Sequence, residues 1–172
     1  MTRIGLLSDT HSYLDPRVLE YFKDVDEIWH AGDIGDSMVL QMLREYKPTR
    51  AVYGNMDGGE VRYCLDEFYR FRVEGVNVFM THIGGYPGKY NPVLIPMFQK
   101  AKESGDENHR IDLFVCGHSH ILKVAYDHKW GFLTMNPGAA GKQGWQTVQT
   151  ILRFVIDGSD IRDLEVIELE RK

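Results

Sequence analysis

Five short apolar runs, each stopping on aspartate, asparagine or histidine, constrain this chain more than any other feature. They are IGLLSDTH (Ile4–His11), EIWHAGD (Glu27–Asp33), RAVYGNMD (Arg50–Asp57), VNVFMTH (Val76–His82) and IDLFVCGHSH (Ile111–His120). Apolar runs of about four to eight residues bounded by turn residues read as buried strands. Burying an unpaired carboxylate or imidazole is costly, so polar groups repeated at strand ends need a shared partner. In α/β sheets the loops at the carboxyl ends of strands are where ligands gather. The candidates so placed are Asp9, His11, Asp33, Asn55, His82, His118 and His120. Residues i and i+2 of an extended backbone point the same way, so Asp9/His11 and His118/His120 are each expected to act as a pair on one face. Gly32, Gly54 and Gly117 stand beside them and allow tight turns and close approach of the backbone.

The elements between the runs complete an α/β pattern. Asp15 caps a helix that begins at Pro16, and Ser37–Tyr46 has helical apolar spacing closed off by Pro48. Phe68–Thr81 reads as a hairpin turning at Glu74-Gly75, IGGYPGKYNP as a loop, and Val93–Glu103 as a helix. The last third is strands: IDLFVCG, ILKVAYD, GFLTMNPG, TVQTILRFVID and IRDLEVIEL. An opening βαβαβ order followed mostly by strands predicts sheet stacked on sheet with helices outside.

With 172 residues and 43% apolar content, one domain spanning residues 1–172 is expected. A net charge of −5 argues against bulk nucleic-acid binding, though not against a nucleotide in a local pocket. No apolar run approaches the roughly 20 residues of a spanning helix, and the N-terminus lacks a cleavage-site pattern. Cys64 and Cys116 stand alone, which fits reduced thiols and a cytoplasmic protein. A homodimer or higher homo-oligomer is expected only because such assemblies are common.

Residue chemistry narrows the ligand. Two carboxylates, an amide oxygen and four imidazoles, with no thiolate, suit Mn, Fe, Co, Ni or Zn better than Ca or Mg. Seven side chains exceed the needs of one ion, whereas two ions sharing a bridging carboxylate would use them all. Two divalent cations against two carboxylates leave a positive site, which attracts an anion. The set therefore predicts metal-assisted hydrolysis of a phosphoester.

The ordered combination DTH, GD, GN, a lone histidine and GHSH resembles the calcineurin-like metallophosphoesterase family. The short chain and GNMD in place of GNH make it similar to the small bacterial and archaeal phosphodiesterase branch, related in fold to the retromer subunit Vps29. The resemblance runs from Ile4 to about Gly138. It implies a four-layer αββα sandwich of two stacked mixed sheets flanked by helices, with a binuclear centre at one end. By matching position, Asp9, His11, Asp33 and His120 would hold one metal. Asp33, Asn55, His82 and His118 would hold the other, with Asp33 bridging and a metal-bridging hydroxide attacking phosphorus in line. Mn is the first expectation for the two divalent ions, with Fe, Ni, Co or Zn as alternatives. The substrate implied is a small phosphodiester or nucleotide-like molecule. Met56 stands where larger relatives carry a histidine, so no leaving-group acid is identified. Asn136–Ala139 matches a structural turn of the family. The alternative is a Vps29-like interaction scaffold with a vestigial metal site. All seven positions retain residues able to ligate a metal, which favours the enzyme.

Other polar residues read more simply. Asp57 stands between holding a ligand or backbone in place and capping its turn. Asp36 reads as a helix cap, His30 as a packed core residue, His109 and His128 as surface, and Cys116 as an inert core thiol. Tyr86, Lys89 and Tyr90 follow His82 closely and are expected to rim the pocket. The segment GKQGWQTVQ, with Trp145, reads either as a second rim or as an oligomer contact, and the sequence does not decide between them.

Overall fold

The computed structural model describes residues 1–171. The chain runs β1 (Thr2–Leu7), α1 (Pro16–Tyr21), β2 (Glu27–His30), α2 (Ser37–Tyr46), β3 (Thr49–Ala51), α3 (Gly59–Cys64), β4 (Phe68–Val73) and β5 (Val76–Thr81). It continues with β6 (Gly85–Tyr86), β7 (Lys89–Tyr90), α4 (Ile95–Glu103), β8 (Leu113–Val115), β9 (Leu122–Asp127), β10 (Phe132–Pro137), β11 (Val148–Asp157) and β12 (Asp160–Glu170). One five-stranded sheet has the order β12-β11-β1-β2-β3 and the other β4-β5-β8-β10-β9. Both are mixed: β1, β2 and β3 run parallel, as do β5, β8 and β10, while the flanking strands pair antiparallel. Among the described residues no helix is long and apolar enough to cross a membrane.

Side-chain alternation along the strands builds the layers. Ile4 and Leu6 of β1, Val78 and Met80 of β5, and Leu113 and Val115 of β8 meet between the two sheets around Trp29. Leu7 and Ile28 turn outward, against Val18 and Phe22 of the first helical segment and Leu40 and Leu43 of α2. Phe79 and Phe114 face the other way, onto Phe98 of α4. The result is the expected helix–sheet–sheet–helix order. Each central strand is buried on both faces, which is why the runs are continuously apolar rather than alternating.

The caps form as the sequence suggests: Asp15 accepts from the Arg17 N–H and Asp36 from the Met38 N–H, both at 2.9 Å. Two elements differ from expectation. α3 follows GNMD without a capping side chain, so no local signal marked it. The Gly/Pro-rich segment after His82 is a small hairpin, β6–β7, rather than an open loop. Within it Tyr90 is buried among Phe98, Phe114 and Phe132, and its hydroxyl donates to Asp127 Oδ2 at 2.6 Å. Tyr90 is a core residue and not a pocket rim.

Candidate metal centre

The loops after β1, β2, β3, β5 and β8 converge at one edge of the stacked sheets. Main-chain bonds lock them together: Asp9 N–H to Gly32 O (2.9 Å), His11 N–H to Asp33 O (3.0 Å) and Gly117 N–H to His82 O (2.9 Å). All five polar strand ends thus reach one place, in two groups of donors. Asp9, His11 and His120 form one; Asp33, His82 and His118 form the other, with ligand atoms within 4.8 Å of one another in each group. Asn55 joins the second group, its Oδ1 lying 3.0 Å from His118 Nδ1. That spacing fits a hydrogen bond and equally two donors on one ion.

Of the two expected i, i+2 pairs, Asp9 and His11 do share a group, whereas the His118/His120 pairing is corrected. His118 and His120 fall in different groups, and neither has extended backbone. Asp9, His11, Asp33, His118 and His120 all have positive φ, between 46° and 72°. For residues with a Cβ this left-handed conformation costs about 1 kcal/mol or more each. It aims neighbouring side chains in different directions, so the HSH segment serves both groups. Close approach supports the strained loops. A Cβ at Gly54 would collide with Asp33, and one at Gly117 with Ser8 and Asp9.

Asp33 sits between the groups. Its Oδ2 is 3.1 Å from His82 Nε2 and 3.8 Å from His11 Nε2, while Oδ1 accepts from the Met56 N–H at 2.8 Å. Asp9 Oδ2 accepts from the Ser8 hydroxyl (2.6 Å) and the His118 N–H (3.1 Å). That leaves Asp9 Oδ1 aimed at His120 Nε2, 3.2 Å away.

Electrostatics tests whether these residues fit a metal. Asp9 Oδ1 and His82 Nε2 are buried without a hydrogen-bond partner. His82 Nδ1–H donates to Ala31 O at 2.7 Å, so Nε2 presents a lone pair toward the Asp33 carboxylate. With a neutral imidazole that contact is repulsive, so it needs a positive charge between the two atoms, a proton or a metal cation. Burial alone disfavours a charged His82, yet Asp33 and Asp9 outweigh it and raise the imidazole above its ordinary value. Burial likewise works against ionised Asp9, but His11, His120 and His82 together hold its carboxyl below the usual range. The arrangement calls for positive charge at its centre, and the N/O donor set fits divalent transition metals.

Residues around the ligands are as informative. Asp57 is buried and accepts from three main-chain N–H groups: Ile34 (3.1 Å), Gly35 (2.9 Å) and Gly54 (2.9 Å). It therefore clamps the Asp33 loop to the Asn55 turn and, through the Gly54 N–H, also caps that turn, so both readings of it have contacts behind them. His30 is fully buried, as expected of a core residue. Gly32 N–H donates to its Nδ1 (3.1 Å), which places the ring proton on Nε2 facing Thr10 Oγ1 (3.0 Å); that hydroxyl donates to Ile34 O (2.8 Å). Burial pushes the imidazole down to about 4 against the pull of Asp57 and Asp9. Asn136 donates to Gly117 O (2.9 Å) and Ser119 Oγ (3.0 Å), so the Asn-Pro-Gly turn braces the HSH segment. Cys116 is buried and its thiol is pushed up to about 12 by burial, which makes it inert. His109, His128 and Trp145 are exposed. Sequence reasoning passed over Ser8 and its bond to Asp9, although a serine ending an apolar strand was a visible signal.

Two stacked sheets carry a polar N/O cluster, a candidate metal centre, where five strand ends meet. The chain belongs to the calcineurin-like phosphoesterase superfamily, whose domain model matches residues 2–159. A probable metallophosphoesterase of Methanothermobacter thermautotrophicus is 36% identical over 174 residues, covering 95% of this chain and 91% of that protein. Another, from Methanocaldococcus jannaschii, is 42% identical over 141 residues, covering 79% and 67% respectively. Vps29 of Chaetomium thermophilum superposes with a TM-score of 0.71 at 14% identity over 100% of both chains, a likeness of fold.

Proposed function

We propose that this protein is a binuclear, metal-dependent phosphodiesterase acting on a small, nucleotide-like diester. The observation that carries the proposal is Asp33, whose Oδ2 faces the imidazoles of both donor groups. Asp9, His11 and His120 would hold one ion, and Asn55, His82 and His118 the other, with Asp33 shared. Two divalent cations, Mn first among them, would supply Lewis-acid charge for the phosphoryl oxygens and acidify a water. The chain's own contribution is placement. Ala31 O orients His82 through Nδ1, Ser8 and the His118 N–H orient Asp9, and the Met56 N–H orients Asp33. Met56 offers no proton to a leaving group, so esters with good leaving groups are favoured. The net charge of −5 supports a small substrate rather than a nucleic-acid strand. Cytoplasmic placement belongs to the same proposal, supported by the unpaired Cys64 and Cys116.

The test compares bis(4-nitrophenyl) phosphate with 4-nitrophenyl phosphate, using protein stripped by chelator and reloaded with Mn²⁺. Metal-dependent turnover favouring the diester, lost in His118→Ala, is expected. Monoester preference would overturn the substrate class. Absence of both turnover and bound metal would move the reading to the scaffold.

A further inference from the structure

A cavity of about 180 Å³ opens directly beside the second donor group, lined in part by Tyr53, Asn55, Arg62, Glu67, His82 and Ile83. Two of these residues are candidate metal ligands. The larger clefts, of about 620, 560 and 320 Å³, include none of the seven. Arg62 belongs to α3, the helix that follows the Asn55 turn. Its Nε donates to Asp57 O (2.9 Å) and its Nη2 to Gly54 O (3.3 Å), while the guanidinium lies 4.5 Å from the centre of the Tyr53 ring. Both partners are neutral carbonyls, and among the described residues Arg62 forms no ion pair. Its position is thus fixed while, among the described residues, its charge is unmatched and its Nη1 makes no hydrogen bond. Glu67 lines the same cavity, and among the described residues its carboxylate is committed to no hydrogen bond or ion pair.

We infer that this cavity seats one ester substituent of the substrate, a ring-sized hydroxylated group such as a pentose. The inference rests on the phosphodiesterase reading above. Volume sets the size: sites for whole drug-sized ligands run from about 300 to 1,000 Å³, so this one takes a single ring and leaves the remainder outside. Chemistry sets the polarity. A guanidinium cannot act as an acid near neutral pH, so Arg62 supplies fixed positive charge and a hydrogen bond to an oxygen of the substituent itself, beyond the phosphoryl group. Glu67 accepts from a hydroxyl of the ring, and Ile83 with the Tyr53 ring covers its apolar face. Arg62 is therefore a specificity residue. It provides beside Asn55 the positive charge that Met56 does not, without the proton.

The experiment uses the Mn²⁺-loaded protein and two substrates sharing a leaving group: thymidine 5′-(4-nitrophenyl phosphate) and methyl 4-nitrophenyl phosphate. The wild type is expected to favour the nucleoside ester in kcat/KM by about tenfold or more. Arg62→Met, Glu67→Gln and the space-filling Ile83→Trp should each reduce that ratio several-fold. Metal content and melting temperature are measured alongside to detect misfolding. A wild-type ratio near one, or variants in which both esters fall together, would overturn the inference. Should neither ester be hydrolysed, the hydrolase reading fails, and binding then decides the cavity by itself. Calorimetry on Zn²⁺-loaded protein would show thymidine 5′-phosphate binding tighter than inorganic phosphate, with the margin lost in Arg62→Met and Ile83→Trp. Equal binding of the two anions by the wild type would refute it.

Discussion

His30 supports the site without touching a metal, and its protonation state has a calculable effect on folding. In the neutral Nε2–H form every polar atom is matched: Nδ1 accepts from the Gly32 N–H, and Nε2–H faces Thr10 Oγ1. A second proton would have to sit on Nδ1, against the Gly32 N–H, in a fully buried place. The folded imidazole is accordingly pushed down to about 4, against roughly 6.5 in the unfolded chain. The folded pKa lies below the unfolded one, so between these values the unfolded state binds a proton that the folded state refuses. Stability from this group is therefore present above about pH 6.5 and falls as the pH drops toward 4. Two to three pKa units correspond to about 3 kcal/mol, a large share of a typical domain's stability. The assay is urea unfolding in chelator at intervals from about pH 7 to pH 4, comparing wild type with His30→Asn, whose amide oxygen still accepts from Gly32. Subtracting the curves removes the carboxylate contributions common to both. A stability difference that does not vary across that range would refute the neutral-tautomer argument.

Asp33→Asn is expected to lower occupancy at both metal positions, measured by elemental analysis after dialysis; loss of one ion with full retention of the other would rule out bridging. Asp57→Ala leaves three main-chain N–H groups, two of them buried, without their charged acceptor, so destabilisation of about 3 kcal/mol is expected by denaturant titration. A change below about 1 kcal/mol would mean that water replaces the carboxylate. Ser8→Ala should weaken metal affinity about tenfold or more by releasing Asp9, read by competition with a chromogenic chelator, and an unchanged affinity would show that the His118 N–H alone orients the carboxylate. Trp145 is fully exposed, so Trp145→Ala should leave stability within about 0.5 kcal/mol, and a larger loss would contradict that placement.

Much of the fold could be read before any coordinates. Apolar runs buried on both faces declare themselves by composition, and the caps at Asp15 and Asp36 by local hydrogen bonding. The α3 segment GEVRYC escaped notice because no side chain caps it and it buries only Val61. The β6–β7 hairpin was hidden because Gly and Pro mark turns but do not say whether short paired segments flank them. Tyr90 was assigned to the pocket rim because it follows His82 in sequence, whereas the aromatic cluster under α4 claims its side chain.

By itself, the sequence determined which side chains reach the site. Strand ends are set by local apolar patterning, and the donors at them have a chemistry that suits transition metals and little else. The family resemblance already implied how those donors divide; the backbone geometry that achieves the division was not legible in the sequence, and only the tertiary structure decided it. Sorting Asp9, His11 and His120 from Asp33, His82 and His118 depends on left-handed backbone at five of the candidate ligand positions. Such conformations are unfavourable for residues with a Cβ in an isolated segment. They persist because main-chain bonds between loops from different strands, such as Asp9 N–H to Gly32 O and Gly117 N–H to His82 O, hold them in place.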